Sequence, residues 1–376
     1  MNDTERRAAH DERRMTVEAT HAIRQHAGAT RTTPRSPRPS DAEPGRVGIA
    51  DTVGTGRGAA SEGGALAGTD SRNAASDDPV EPRAAAVATT LGVWWHASAR
   101  DLPWRFGRTT PWGVLVSEVM SQQTQMSRVA PYWTAWMSRW PDARALADAS
   151  KADVITAWGR LGYPRRALRL QECARVVAQT CGDVLPRTYD ELTALPGIGD
   201  YTASAVMSFA YGERATVIDT NIRRVLSRIL LGEESLGGAA SKAERALAER
   251  VLPHDAAASV LWNQSVMELG ALVCTAKSPG CDTCPVRDDC MFLAAGRPGL
   301  GERRTRPRQR FAGTDRQVRG IVLDALRHLP SDASALDRAA AHALWADRAQ
   351  LDACIAGLDD DGLIEILPDG SLRLPQ

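Results

Sequence analysis

LPGIGDYTASAV, residues 195–206, is the stretch on which the reading of the fold turns. Apolar positions lead into Pro196-Gly197-Ile198-Gly199, and a new helix is expected from about Asp200. Two glycines one residue apart let the backbone pass close to a ligand. The helix start behind them presents unpaired N–H groups suited to an anion. The commonplace alternative is a tight turn between two packed helices. Either way the segment joins helices, not strands.

The flanks agree. AAAVATTLGVWWHASA places Val87, Leu91, Trp94 and Trp95 on one helical stripe. WGVLVSEVMSQQTQMSRVAPYWTAWMSRW gives further stripes, with Pro131 expected near a helix start. YDELTAL precedes the glycines, and NIRRVLSRILL, AERALAERVL and AASVLWNQSVMELGALVC follow, joined by short connections bearing Gly or Pro. No alternating run in residues 86–300 is long enough to build a sheet. The expectation is an all-α unit of about 215 residues, ample for a core. At its centre, residues 195–206 follow the logic of a helix–hairpin–helix, which grips a DNA phosphate without reading a base.

Composition marks where this unit ends. All 19 aromatics but one, Trp345, lie between Trp94 and Phe311. Residues 1–85 are rich in Ala, Arg, Gly, Thr, Asp, Ser and Pro and lack periodicity. Such a segment buries too little apolar surface to offset the entropy of ordering it, so a disordered tail is expected. The zero net charge is a sum of unlike parts: −1 for residues 1–85, +6 for 86–312 and −5 for 313–376. The basic run GERRTRPRQR falls in a linker, residues 301–312. Beyond it, residues 313–376 read as two or three short helices and then GLIEILPDGSLRLP, a β-hairpin turning at Pro368-Asp369-Gly370. That order suggests a winged-helix-like module. Its acidic balance argues against strong phosphate binding on its own. No stretch approaches the roughly 18 apolar residues of a membrane span, and MNDTERRAAHDERR has no signal-peptide core. A soluble, intracellular (cytoplasmic) protein is expected.

Two sets of residues carry chemistry. Cys274, Cys281, Cys284 and Cys290 fall within 17 residues, spaced x6, x2 and x5. Four thiolates so close call for a soft cation. Zinc arrays pair two short CxxC knuckles and only one occurs here, so the spacing favours a [4Fe–4S] cluster while leaving zinc open. Glu118 stands alone on an otherwise apolar, uncharged helix, a setting that raises a carboxyl pKa toward that of a general acid. Asp219, in ATVIDTNIRRV, is a second candidate or an ordinary helix N-cap.

The order Glu118, PGIGDYTA, Asp219 and four cysteines resembles the endonuclease III superfamily of base-excision DNA glycosylases. The likeness spans about residues 90–300, through LPWR, SEVMSQQTQ, WGRLGYPRRA, LPGIGDYTA, VIDTNIRRV, WNQSVMELGALVC and the cysteine spacing. It implies a two-lobed helical fold with an iron–sulfur loop, a [4Fe–4S] cofactor on the four cysteines, and double-stranded DNA as partner to a monomeric enzyme. Two positions choose the branch. The lyase branch has a Lys where this chain has Tyr201, which cannot form a Schiff base, and lacks the helix Glu. The resemblance therefore points to the adenine glycosylase branch, whose members remove adenine mispaired with 8-oxoguanine or guanine and leave an abasic site.

That resemblance assigns roles. Glu118 would protonate adenine N7 and Asp219 would stabilise the sugar cation. Trp104, Arg105, Tyr201 and Gln264 match adenine-pocket positions, core packing being the alternative for the aromatics. Gln123 matches the side chain that wedges into the duplex, and Thr124 and Tyr163 match contacts around the opposing 8-oxoguanine. Asn221, Gly197 and Gly199 would hold the DNA backbone. The chain departs from the pattern at Pro164, where a second Tyr is usual, and at Ser121, where Leu is common. Only 86 residues follow Cys290, too few for the Nudix-like domain that inspects 8-oxoguanine, so weaker discrimination against guanine, or discrimination by Thr124 and Tyr163, is expected. A thymine-mismatch or oxidised-pyrimidine glycosylase, and a non-catalytic iron–sulfur regulator of DNA, are the rival readings.

Overall fold

The computed structural model describes residues 80–235, 238–302, 310–330 and 332–376. Residues 1–79 of the expected tail (1–85), and residues 303–309, most of the basic linker, lie outside the described residues. The first helix among the described residues, α1 (Val80–Ser98), begins inside the segment that composition assigned to the tail. Val80 and Ala84 are buried on the stripe that Val87, Leu91 and Trp95 continue, so packing extends the ordered unit past the aromatic boundary.

Helices α2 (Pro111–Ser121), α3 (Met126–Arg139), α4 (Ala143–Ala147), α5 (Lys151–Trp158), α6 (Arg165–Thr180), α7 (Tyr189–Ala194) and α8 (Asp200–Phe209) follow. Their starts are written in the sequence. Side chains of Thr110, Asp142, Ser150 and Thr188 each accept a backbone N–H of the first turn. Pro111 sits at the first helical position, where a missing N–H costs nothing. Pro131 is in the second turn of α3, not at its start. Leu102, Leu115, Met120, Trp136, Trp158, Leu170, Leu192 and Val206 form one buried core among these helices.

A second core gathers Val87 and Leu91 of α1 with the later helices. These are α9 (Thr220–Leu226), which runs into a π turn at Ser227–Leu231, α10 (Lys242–Arg250) and α11 (Ala256–Leu272). Ile222, Leu226, Trp262, Val266 and Leu269 fill it. The chain therefore makes two helical lobes, with α1 returning to the lobe built mostly from the C-terminal half. After the cysteine loop comes α12 (Met291–Ala294).

Residues 310–376 give α13 (Asp315–Arg327), α14 (Arg338–Ala343), α15 (Arg348–Asp360) and an antiparallel hairpin of β1 (Glu365–Ile366) and β2 (Leu372–Arg373). The turn falls at Leu367–Ser371, with Gly370 at φ 81°. Leu336 makes an isolated antiparallel bridge to Leu372. This is the winged-helix-like order expected. The core of the module includes Ile155 of α5, and Arg160–Asp324 and Arg165–Asp361 ion pairs hold it to the first lobe. Among the described residues no helix is long and apolar enough to cross a membrane.

Candidate active site

Between the two lobes lies a large open cleft lined by Glu118, Gln123, Thr124, Tyr201, Asp219, Asn221 and Arg105, among others. One wall is α2, where the apolar stripe packs inward and leaves Glu118 half-buried at the cleft. The Tyr201 hydroxyl, in the first turn of α8, donates to Glu118 Oε2 at 2.8 Å. Burial pushes the Glu118 carboxyl up to about 7, and Asp219 across the cleft adds to the rise. The Tyr201 hydrogen bond and the Arg105 charge pull it back. Near neutral pH this carboxyl therefore holds a proton it can give up, as a general acid requires.

Asp219 caps a helix, as its sequence allowed, and it also lines the cleft. As N-cap of α9 its Oδ1 accepts the Ile222 N–H at 2.7 Å, while its Oδ2 faces inward and accepts the Asn221 amide at 2.8 Å. Burial raises its pKa, and these donors with Arg224 oppose the rise. Asn221 is engaged at both ends: its Oδ1 accepts from Arg224 Nη2 at 2.8 Å. Arg224 also donates to the carbonyls of Gly270, at 2.7 Å, and Cys274, at 2.8 Å. A chain of hydrogen bonds thus runs from Asp219 to the first cysteine. Gly270 allows it, because a Cβ there would lie 2.7 Å from that of Asn221.

Arg105 lines the cleft, but Glu268 holds it. Arg105 Nη2 and Arg100 Nη2 reach Glu268 Oε2 at 2.8 and 2.7 Å, and the Glu268 side chain is 0% exposed. Burial would raise the Glu268 carboxyl, yet the hydrogen bonds from Arg100 and Arg105 hold it at about 2. Arg105 also lies over the Trp95 ring, 4.8 Å from its centroid. Glu268, which no motif role covers, is the buried carboxylate that organises this side of the cleft. Its signal was the one that singled out Glu118, a lone carboxylate on an apolar helix.

Other candidate residues lie away from the cleft wall. Trp104 is buried against Trp133, 5.6 Å between ring centroids, in the first core. Gln264, on α11, is half-buried and is not among the residues lining the cleft. Tyr163 is exposed, with φ 49°, beside the loop bearing Gln123, whose φ is 57°. Gly197 adopts φ 77° with Arg169 packed beneath it, and Gly199 is the N-cap of α8 with open space where a Cβ would stand. A side chain would strain the first and obstruct an approach to the second.

The four cysteines are free thiols and line a single small cavity with Arg228, Val273, Gly280 and Phe292. Arg228 is buried and ion-paired to Glu234, and its Nη1 lies 3.5 Å from Cys274 Sγ. Among the described residues no three His, Cys, Asp or Glu side chains are grouped as a single metal ion would need.

Fold and cleft together are those of a helix–hairpin–helix base-excision glycosylase, and the HhH-GPD superfamily of base excision DNA repair proteins matches residues 116–253. The adenine DNA glycosylase of Mycolicibacterium smegmatis is 47% identical over 283 residues, 75% of this chain and 93% of that protein. The human adenine DNA glycosylase is 42% identical over 54% of this chain and 38% of its own. A solved thermostable thymine-DNA glycosylase superposes with a TM-score of 0.53 at 27% identity, covering 58% of this chain and all of the other. The chain belongs to the adenine DNA glycosylase family, hydrolases of base excision repair.

Proposed function

We propose that the enzyme releases adenine mispaired with 8-oxoguanine or guanine from double-stranded DNA, acting as a monomer and leaving an abasic site. The observation that carries this reading is the protonated-range Glu118 carboxyl, gripped by Tyr201 and set across the cleft from Asp219. Adenine swings out of the stack into the cleft. Glu118 gives its proton to N7, the C1′–N9 bond breaks with its electron pair going to the base, and adenine departs neutral. Asp219, as a carboxylate supported by Ile222 N–H and Asn221, faces the positive sugar until water adds at C1′ and passes its proton to the Glu118 carboxylate, restoring the acid. With Tyr at position 201 no amine is present there to attack the sugar, so the strand stays intact.

Gln123 is the wedge that fills the gap in the duplex, and Thr124 and Tyr163 face the base opposite. Arg105 and Tyr201 form the adenine pocket from the cleft side; Trp104, packed on Trp133, and Gln264 do not line the cleft. Gly197, Gly199 and Asn221 serve the backbone, the last by holding the turn at α9. Residues 80–300 act as the catalytic domain and residues 313–376 as an appended module, joined by residues 301–312 as a basic linker. That module lends weight to Tyr163: Arg316 lies 5.8 Å from the Tyr163 centroid and 6.0 Å from that of Phe311. Discrimination of 8-oxoguanine from guanine therefore rests on Thr124 and Tyr163, with Arg316 behind the latter.

Cys274, Cys281, Cys284 and Cys290 hold a [4Fe–4S] cluster. Their common cavity, their four soft donors and the adjacent Arg228 charge suit a polynuclear group carrying net negative charge. Brought together on the cluster, the four cysteine side chains would fix the loop 274–290. The Arg224 bonds to Cys274 and Asn221 then tie that loop to the turn bearing Asp219.

A duplex panel tests the reading. A:8-oxoG, A:G, A:C and T:G mispairs are incubated in single turnover, with the free base identified by chromatography. Adenine released fastest opposite 8-oxoG, with strand breaks only after hot alkali, is expected. Breaks without alkali, or thymine release, would overturn it.

A further inference from the structure

We propose that Arg166 is the positioning residue that locks the Gln123 loop and Tyr163 into one rigid reading head, an inference that rests on the roles given to those two side chains above. Gln123 and Tyr163 belong to different connections, the turn after α2 and the turn before α6, and each stands at positive φ. A non-glycine residue adopts that region at a cost and keeps it only where its surroundings hold it there. The guanidinium of Arg166 lies between the two turns. Its Nη1 donates to Val119 O at 2.7 Å, to Gln122 O at 2.7 Å and to Met120 O at 3.4 Å. Its Nη2 donates to Gly162 O at 3.1 Å and to Thr124 Oγ1 at 3.4 Å.

The same planar group lies 5.2 Å from the Trp158 ring centroid and 5.6 Å from that of Tyr163. One cation therefore satisfies the free carbonyls at the end of the Glu118 helix, fixes the residues on both sides of Gln123, and stacks near the ring of Tyr163. The Thr124 hydroxyl adds a direct tie across the gap, donating to Leu161 O at 3.2 Å. Arg166 itself does not line the cleft. It acts through the residues it holds, so that wedge and opposite-base contact arrive at the duplex in fixed register.

The test uses the full chain with Arg166→Met, which keeps a long apolar stem but no donor, and Arg166→Lys. Affinity is measured for a duplex bearing 2′-fluoro-adenosine, which resists cleavage, opposite 8-oxoguanine, and for the matched duplex. Extrusion is followed by 2-aminopurine fluorescence at the mispaired position. Arg166→Met is expected to lower the mispair-to-matched affinity ratio by roughly tenfold or more and to suppress the fluorescence rise. Matched-duplex affinity and helical circular dichroism stay unchanged. Arg166→Lys recovers part of the ratio, because an ammonium restores the charge and some carbonyl bonds but not the planar fork. A ratio within about twofold of wild type, or equal losses for both duplexes as a merely structural role would give, overturns the proposal. If the wild-type enzyme shows no preference for the mispair, the reading of Gln123 and Tyr163 itself fails and the inference with it.

Discussion

Replacing Glu118 by Gln separates the chemistry of this cleft from its stability. Burial lifts the Glu118 carboxyl from 4.5 to about 7, a difference worth roughly 3 kcal/mol. The native protein thus holds this proton to higher pH than the unfolded chain does. Between about pH 4.5 and 7 the native state binds more protons, so the contribution of Glu118 to stability falls as pH rises and is fully lost above 7. Gln cannot ionise and still accepts the Tyr201 hydroxyl. The variant should equal wild type near pH 4.5 and become more stable above pH 8. Because the cleft is open to water, about 2 kcal/mol is a fairer figure than the full amount. Urea unfolding followed by circular dichroism from pH 4.5 to 9 reads the difference directly, provided the slopes match. Adenine release by the same variant should drop by several orders of magnitude while mispair binding persists. Parallel stability curves for the two proteins, or retained excision, would refute the argument.

Other changes follow from the same contacts. Tyr201→Phe removes the hydrogen bond that pulls the Glu118 carboxyl down, so the alkaline limb of the single-turnover pH–rate profile should move upward; an unmoved limb counts against the Tyr201–Glu118 contact. Glu268→Ala leaves Arg100 and Arg105 without their buried partner, and urea unfolding should show a loss of about 3–5 kcal/mol. Cys284→Ser removes one of the four thiols lining the second cavity. It should abolish the visible absorbance of the cluster and weaken binding to all duplexes alike, whereas a variant with undiminished absorbance would remove Cys284 from the ligand set.

The sequence was most readable where a residue breaks its local pattern. Glu118 interrupts an apolar helix, and the structure sets it at the cleft because its neighbours fill the core. Glu268 breaks the pattern of its own helix in the same way, but its partners Arg100 and Arg105 lie some 165 residues away in sequence, and spacing carries no trace of such a pairing. Trp104 shows the reverse limit: an aromatic beside a pocket motif is equally apt for packing on Trp133, and that is where it sits. Asp219 could be cap or catalyst by sequence; the structure shows the cap through Oδ1, with Oδ2 accepting from Asn221 beside the cleft. The start of α1 at Val80 is not legible in composition, because burial of Val80 and Ala84 depends on helices that come much later in the chain. The role of Arg166 depends on two turns meeting in space, which only the folded chain displays.

The central claim is that Glu118 drives excision by placing a proton on adenine N7. It is tested most directly by a duplex carrying 7-deazaadenine, which has carbon where N7 would be, opposite 8-oxoguanine. Single-turnover assay at saturating enzyme should show binding comparable to the adenine duplex and no release of the base. Release of 7-deazaadenine at the rate of adenine would contradict the account.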